Sequence, residues 1–510
     1  MTYPAFTTSI DRFKLWLQGL RIYGALYLTI PLAFFLLMLL FFSFQERFEF
    51  DPDEGLNAMK GLLLIRGYPL YSEIWSDQPP LFTYLLAAIM RVFGVDINTL
   101  RTFVLFLSSI LIGSAYLVLN MTWGKTHAFA GAFLIFLLPY YKSLSVSVMI
   151  GLPAITFAML SMLSLVIWHR GHSSFWLVFS ALTLGLSVLT KLFTGFLAPI
   201  FILGILIDQK NRLGGQFNWF ALLYPAFIWT TTFSCVVLLL GLILVGPANI
   251  NQLISTHLSA RSIEEYSSRS DTIATYLHDS IAIILLAIVG SIYALLKRSW
   301  ITLYLIAWAV GGYLLLSIQV PVWYHHQLLI TIPMAMLSGI AIGETMRILH
   351  QLFRTGKFLD IQIQLSVLTI IGIALALATR VPQTYYDFRI PIDQVEPISE
   401  IAGREQRFLN LIASNANETQ WIITDLPMYA FRNGLPVPPP LAVFSEKRML
   451  TGDLAEDQII EIFKKYQPEQ VLIGRFKLLE FEGLLKNDYR RVFFREGKHL
   501  YKLDEPQQTP

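Results

Sequence analysis

Residues 219–245 read WFALLYPAFIWTTTFSCVVLLLGLILV, an apolar run without a single charged side chain. A helix of about 20 such residues crosses the hydrocarbon layer of a bilayer, so this run predicts a membrane-spanning helix. The whole chain agrees with that prediction: of its 510 residues, 55% are hydrophobic and only 14% are charged, against about a quarter charged in soluble proteins. The sequence predicts eleven spans, at residues 23–43, 103–122, 127–140, 147–168, 175–190, 192–208, 219–245, 276–296, 300–318, 327–346 and 361–379.

Charge and cysteine content narrow the class of protein further. The formal net charge is only +3, which gives no reason to expect a nucleic-acid partner. The only cysteine, Cys235, lies inside an apolar run, so a disulfide framework and a cysteine-based metal site are both excluded. Arg12, Lys14 and Arg21 precede a first apolar run that is too long for a signal-peptide core. We therefore predict an uncleaved first span.

The short connections between spans predict the orientation in the membrane. WGKTH, WHRGH, DQKNRLGG, KRS and RILHQLFRTGK carry nearly all of their charge as Lys or Arg, and such loops stay on the inner side. This places the N-terminus inside and, with an odd number of spans, the C-terminus outside. The acidic segment 44–101 is then also outside.

Two outer regions differ from simple connections, and they set the domain organisation. Residues 1–380 form the predicted transmembrane domain, and its first outer loop, 44–101, contains PPLFTYLLAAIMRVFG, which is too short to span and is predicted to lie in the membrane interface. From residue 381 to 510, WIITD, QVLIG and RRVFF alternate with helical patterns such as DQIIEIFKKY, and REGKHLYKL closes as a hairpin. We predict a small outer α/β domain there.

Three acids stand immediately after the first span, in the stretch FEFDPDEGL. One interpretation is structural: Asp53 caps a helix that starts at Glu54. The other is chemical: a carboxylate at this place acts as a general base toward a hydroxyl or amine, or binds a divalent cation with Asp51 and Glu54 as ligands. The two are compatible, because a cap fixes the direction of a carboxylate.

Aromatic and polar residues follow in YPLYSEIWSDQPPL. Tyr68, Tyr71 and Trp75 are typical of membrane-interface anchors, but aromatic faces also stack on sugars, so this loop could line a saccharide site. Asp77 and Gln78 form a polar turn that two prolines make rigid.

Cationic and histidine side chains are predicted at the same outer level. Lys191 lies between two apolar runs, as a snorkelling lysine or as the partner of an anion. Tyr324, His325 and His326 stand at the mouth of a late span, as idle interfacial residues or as phosphate and hydroxyl donors. Arg261 belongs to a loop with both charge signs that either closes over a site or is solvated. The sequence contains no zinc-ligand spacing and no glycine-rich nucleotide loop.

The order of these features resembles that of a known superfamily. The DE pair after the first span, the stretch GYPLYSEIWSDQPPL, the TK before the sixth span and the YHH before a late span are similar to motifs of the type C (GT-C) polytopic membrane glycosyltransferases. The similar branch contains the protein O-mannosyltransferases and the lipid A aminoarabinose transferases. The likeness covers about residues 1–345.

The resemblance implies a sugar donor linked to polyprenyl phosphate, transfer on the outer (periplasmic) side, and a place in the bacterial inner membrane. It implies that Asp53 and Glu54 are the catalytic acids, with Asp53 as the base. It assigns the donor phosphate to Lys191, with His325 and the other outer cations, His326 and Arg261, as further candidates. Tyr68, Tyr71, Trp75, Asp77, Gln78 and Tyr324 would then line the sugar and acceptor space.

The implied reaction inverts the anomeric centre, needs no nucleotide, and uses an acceptor that the sequence leaves open among lipid A, another glycan, a lipid and a protein. One residue departs from the family pattern: Gln78 stands where many relatives have lysine before the two prolines. The alternative from another class is a polytopic transporter or flippase for a lipid-linked or small anionic substrate.

Overall fold

The computed structural model describes residues 28–214, 218–263, 269–355, 360–389 and 398–504. The start of the first predicted span (23–27) and the tail after residue 504 lie outside these ranges. The helices of the bundle and its loops are α1 (Leu28–Phe41), α2 (Pro52–Ile65), α3 (Leu81–Phe93), α4 (Ile97–Thr122), α5 (Lys125–Phe136), α6 (Tyr141–Leu144), α7 (Gly151–Gly171), α8 (Ser174–Thr190), α9 (Leu197–Leu213), α10 (Trp219–Val245), α11 (Gln252–Ser259), α12 (Arg269–Asp279), α13 (Ile281–Leu296), α14 (Trp300–Ile318), α15 (Leu328–Thr355) and α16 (Asp360–Arg389).

Each of the eleven predicted spans overlaps a helix over its described residues. Within the described ranges, six helices are long and apolar enough to cross a membrane by length and composition, and a seventh crossing results if α12 and α13, bent by 73° at their junction, count as one. The third predicted span, 127–140, was drawn too long. Helix α5 ends at Phe136, because Pro139 disfavours helical backbone just before it.

Close helix packing holds the bundle together around α5, α13 and α15. A Cβ atom added to Gly339 of α15 would lie only 2.5 Å from the backbone nitrogen of Gly131 on α5. Small residues allow this approach of two backbones, which is how helices gain contact in lipid, where no hydrophobic force drives them together.

The two helices of the first loop, α2 and α3, do not belong to the bundle core. They share a separate apolar cluster with the C-terminal residues, and the contact is tight, since a Cβ on Gly55 would meet the backbone nitrogen of Met428 at 2.7 Å. The C-terminal part of the chain is therefore docked on the loop that carries the three acids.

The C-terminal unit is a four-stranded sheet with helices, in strand order β1-β2-β4-β3. Strands β1 and β2 are parallel, and β3 and β4 form the predicted antiparallel hairpin. Its elements are α17 (Ile398–Ala413), β1 (Ile422–Thr424), α18 (Pro427–Arg432), α19 (Glu446–Leu450), α20 (Glu456–Tyr466), β2 (Gln470–Ile473), α21 (Leu479–Asp488), β3 (Tyr489–Arg495) and β4 (Lys498–Leu503). Helix α16 runs through residue 380 to Arg389, so the unit begins later than the sequence-based boundary.

Candidate active site

The first helix of the outer loop begins with a well-formed cap. Asp51 has extended backbone (φ −158°, ψ 142°), and Pro52 follows at the first helical position, where proline is favoured. The Asp51 carboxylate accepts a hydrogen bond from the backbone N–H of Asp53 at 2.9 Å and another from the Tyr324 hydroxyl at 2.9 Å. Asp51, not Asp53, is thus the capping residue, which corrects the structural interpretation of the sequence.

Because Asp51 caps the helix, the Asp53 carboxylate is not used as a cap. It lines a cavity of about 480 Å³ and has no hydrogen bond or ion pair within the part of the chain that the structure describes. Burial and the charge of Asp51 raise the pKa of Asp53 to about 6, against the opposite influence of Arg475, Lys191 and Lys60. A carboxylate with such a pKa is largely ionised at neutral pH and still basic enough to take a proton.

Glu54, the next residue, holds the first loop to the helix bundle. It is fully buried and forms a two-point ion pair with the equally buried Arg101, at 3.2 and 2.8 Å. Its carboxylate also accepts the backbone N–H groups of Phe50 and Val148 at 2.7 and 2.9 Å. Removing one partner of such a buried pair costs about 3–5 kcal/mol, so Glu54 fixes the loop to α4.

This placement disagrees with two expectations for Glu54. It is not among the residues that line the cavity beside Asp53, so the two adjacent acids face different surroundings. Its oxygens are also saturated by Arg101 and the amides, which leaves none to share a cation with Asp51. In the ranges that the structure describes, there is no group of three or more His, Cys, Asp or Glu residues arranged for a metal.

The cavity lies where the first loop, the bundle and the C-terminal unit meet. It is bounded by α2, the turn before α3, the junction of α8 and α9, α11, the turn before α15, and the loops of the C-terminal unit. Most of the predicted site residues are brought together here: Asp51, Asp53, Asp77, Gln78, Lys191, Arg261, Tyr324, His325 and His326.

Lys191 enters the cavity from the junction of α8 and α9. Helix α8 ends at Thr190, and Lys191 has extended backbone there (φ −152°, ψ 118°). Its side chain is only 7% exposed, and its ammonium lies 4.4 Å from the ring centre of Phe193. Burial lowers the pKa of Lys191 to about 7, although the charges of Asp53 and Asp77 oppose this shift. An anionic ligand would supply the partner that the described residues do not.

The two histidines occupy a short turn before α15. Their rings meet edge to face, with centres 4.5 Å apart. The Nδ1 atom of His326 accepts the backbone N–H of Trp323 at 3.2 Å, so its proton is on Nε2. The Nδ1 atom of His325 is buried without a hydrogen-bond partner in the described ranges. Both rings face the same cavity as Lys191.

Asp77 contacts two residues, Lys447 and His257, that the sequence analysis does not predict at the site. Its carboxylate lies 2.8 Å from the ammonium of Lys447 on α19, which also donates to Nδ1 of His257 at 2.9 Å. The Nε2–H of His257 in turn reaches the backbone oxygen of Asp77 at 3.2 Å. Burial raises the pKa of Asp77, but Lys447 and His257 outweigh it and hold the pKa at about 2. The cluster joins the first loop, α11 and the C-terminal unit at the cavity rim.

The three aromatic residues expected at a sugar site do not line this cavity. Tyr68 packs against Trp421 at 5.8 Å, and Trp75 lies under the guanidinium of Arg448 at 4.4 Å. The Tyr71 hydroxyl donates to the backbone oxygen of Gln78 at 2.7 Å. Tyr68 and Trp75 thus support the contact between the first loop and the C-terminal unit, whereas Tyr71 braces the loop itself.

Two further cations of the cavity were missed. Lys60 follows Asp53 by seven residues on α2, a spacing that puts both on one helix face and could have revealed it. Arg475 comes from the loop after β2, and no sequence signal connects it with the first loop. The Asp425 carboxylate holds that loop by accepting the backbone N–H groups of Gly474, Arg475 and Phe476 at 2.7 to 3.0 Å.

The bundle, the first-loop helices and the docked small sheet match the fold of solved type C membrane glycosyltransferases. A sequence-family model described as dolichyl-phosphate-mannose-protein mannosyltransferase matches residues 77–245. No protein of curated function matches the sequence.

Solved structures of this fold resemble nearly the whole chain. ArnT from Cupriavidus metallidurans bound to undecaprenyl phosphate has a TM-score of 0.61 and 13% identity, covering 94% of this chain and 97% of that one. The oligosaccharyltransferase AglB from Archaeoglobus fulgidus, in complex with an inhibitory peptide and a dolichol-phosphate, has a TM-score of 0.53 and 12% identity, covering 96% of this chain and 75% of that one. At this identity the likeness shows the fold, and the chemistry rests on the residues of the cavity.

Proposed function

We propose that this protein is an inverting glycosyltransferase that moves a sugar from a polyprenyl-phosphate carrier to an acceptor. The observation that carries the proposal is one cavity lined by the Asp53 carboxylate and by the buried Lys191 ammonium, neither of which has a hydrogen-bond or ion-pair partner among the described residues. The undecaprenyl phosphate bound by ArnT and the dolichol-phosphate bound by AglB support a lipid phosphate as the donor's anchor. The description of the matching family also supports a lipid-phosphate sugar.

The reaction follows from these two groups. The acceptor's O–H or N–H bond breaks and its proton passes to an oxygen of Asp53 as the acceptor atom forms a bond to the anomeric carbon. The bond from that carbon to the phosphate oxygen breaks, and its electron pair stays on the phosphate. In this proposal, Lys191 and the histidine turn stabilise the growing negative charge on the phosphate. A phosphate leaving group is already anionic, so no second carboxyl is needed to protonate it.

We place the cavity on the outer face of a bacterial inner membrane. The basic connections between spans support an N-terminus inside, and the cavity is built at the opposite end of the bundle from them. The donor therefore meets an acceptor outside the cytoplasm, where the acceptor is a lipid A, another glycan, a lipid or a protein.

The test is a complementation experiment in a strain that lacks the gene. Wild-type protein should remove the polyprenyl-phosphate sugar that accumulates in the deletion, as measured by mass spectrometry of lipid extracts, while Asp53→Asn should leave it accumulated because a lost general base slows transfer about 10²- to 10⁴-fold. Asp488→Asn, an exposed acid of the C-terminal unit, is the matched control and should behave as wild type.

A binding measurement shows whether the Asp53→Asn variant has lost catalysis or has failed to fold. Purified Asp53→Asn should bind undecaprenyl phosphate as tightly as wild type does. If Asp53→Asn clears the donor normally, the base is another residue. If no lipid-linked sugar accumulates even in the deletion strain, the transfer reaction itself is wrong.

A further inference from the structure

Lys60 is a buried cation to which the reaction proposed above gives no role. Its side chain is 3% exposed and lines the cavity. Its position on α2, two turns beyond Asp53, places it about 10 Å along the helix axis from that carboxylate. The ammonium has no hydrogen bond or ion pair among the residues that the structure describes. A buried charge without a partner is strongly unfavourable, so a partner is expected from a ligand.

Asp77, whose charge acts on Lys60, already has other partners. Burial lowers the pKa of Lys60, against the opposing charges of Asp77 and Asp53. The Asp77 carboxylate lies 2.8 Å from the Lys447 ammonium and 3.9 Å from the ring of His257. Among the described residues, Asp77 is thus engaged by the C-terminal unit and forms no ion pair with Lys60.

Lys60 and Lys191 enter the cavity from different elements. Lys60 belongs to α2, two turns beyond Asp53, whereas Lys191 stands at the junction of α8 and α9. Two buried like charges placed side by side would repel each other. The cavity thus offers two cationic places that different elements supply.

The geometry of displacement assigns these two places to two substrates. In an inverting reaction, the acceptor approaches the anomeric carbon from the face opposite the departing phosphate, and the base stands beside the acceptor. With the donor phosphate at Lys191, the remainder of the acceptor extends past Asp53 toward Lys60. Arg475 of the C-terminal unit also lines the cavity, and its positive charge lowers the pKa of Asp53.

We propose that Lys60 binds an anionic group of the acceptor, a phosphate or a carboxylate, in a subsite separate from the donor phosphate. The identification of the bound groups as donor and acceptor rests on the proposed function. The existence of a second anion subsite does not, because binding alone tests it. Its failure is therefore distinguishable from a failure of glycosyl transfer.

The experiment is calorimetric titration of the full-length protein in nanodiscs that hold saturating undecaprenyl phosphate, at constant chloride concentration. The probes are inorganic phosphate and acetate. Wild-type protein should bind at least one of them while the lipid phosphate stays bound, and the tighter anion indicates which group the acceptor carries. Lys60→Met should weaken this binding about 10- to 100-fold, the loss expected for one charge-assisted hydrogen bond, and Lys60→Arg should retain most of it.

Two controls make the result specific. Lys464→Met removes an exposed lysine of α20 and should leave both affinities unchanged. Lys191→Met should lose undecaprenyl phosphate but keep the binding of the free anion. Lys60→Met should also melt at a higher temperature than wild type without ligand, because it removes an unpaired buried charge, and this result excludes a simple loss of fold.

Three results would overturn the subsite. The first is free phosphate displacing undecaprenyl phosphate from wild-type protein, which would mean one shared site. The second is a weaker affinity of Lys60→Met for the lipid phosphate, which would place Lys60 with the donor. The third is equal binding of both free anions by Lys60→Met and wild type.

Discussion

Replacing Lys191 by arginine should change the pH dependence of transfer in a defined way. In the free enzyme, Asp53 must be ionised and Lys191 protonated, and their pKa values are about 6 and about 7. The fraction with both groups in the right state is about 0.6 at pH 6.5 and about 0.03 at pH 8.5, so kcat/KM should fall about 20-fold between them. On the acid side, protonation of Asp53 should reduce kcat/KM about 6-fold from pH 6.5 to pH 5.

The Lys191→Arg substitution should change only the alkaline side of this bell-shaped pH profile of kcat/KM. A guanidinium stays protonated far above pH 8.5, so the alkaline fall in kcat/KM should vanish and the acid fall should remain. In the wild type, bound donor phosphate raises the pKa of Lys191, so the alkaline fall of kcat should lie at higher pH than that of kcat/KM.

The assay is the initial rate of sugar release from the lipid donor between pH 5 and pH 9, with Lys464→Arg as the matched control. An unchanged alkaline limb in Lys191→Arg would show that another group titrates there. A missing acid limb in the wild type would refute the role of Asp53.

Two further predictions concern the C-terminal unit. Lys447→Met should weaken free-phosphate binding as much as Lys60→Met does, because the released Asp77 carboxylate then pairs with Lys60. The double variant Lys447→Met/Asp77→Asn should restore it in the same calorimetric titration, and a double variant that stays impaired would contradict this account. In sealed membrane vesicles, protease should cleave residues 398–504 only from the outer side, and cleavage in inverted vesicles would contradict the proposed orientation.

The spans could be predicted from sequence because the thickness of the hydrocarbon layer fixes the length of an apolar run. Helix ends were harder to predict: α5 stops early, at Phe136, whereas α15 and α16 continue to Thr355 and Arg389, beyond the predicted ends at 346 and 379. The effect of Pro139 on the backbone before it is local and can be read from the sequence. Sequence also placed Asp53, Lys191 and the His325–His326 turn at one level, because each stands at the end of an apolar run.

The division of tasks among the three acids could be read only in part. Asp51 before Pro52 is a recognisable signal for the start of a helix, so the capping role of Asp51 could have been predicted. The pairing of Glu54 with Arg101 depends on a contact across 47 residues, which no local pattern encodes. The ion pair of Asp77 with Lys447 joins residues 370 apart in sequence. No motif or residue spacing could therefore predict that the C-terminal unit contributes to the cavity.

The contact between Lys447 and Asp77 joins the C-terminal unit to the rim of a cavity that the membrane bundle helps to build. If the unit were removed, Asp77 would lose this cation, and we expect its negative charge to attract Lys60 instead. On this expectation, docking of the C-terminal unit works as an electrostatic switch for the cavity, because it decides which buried charges stay open to incoming molecules.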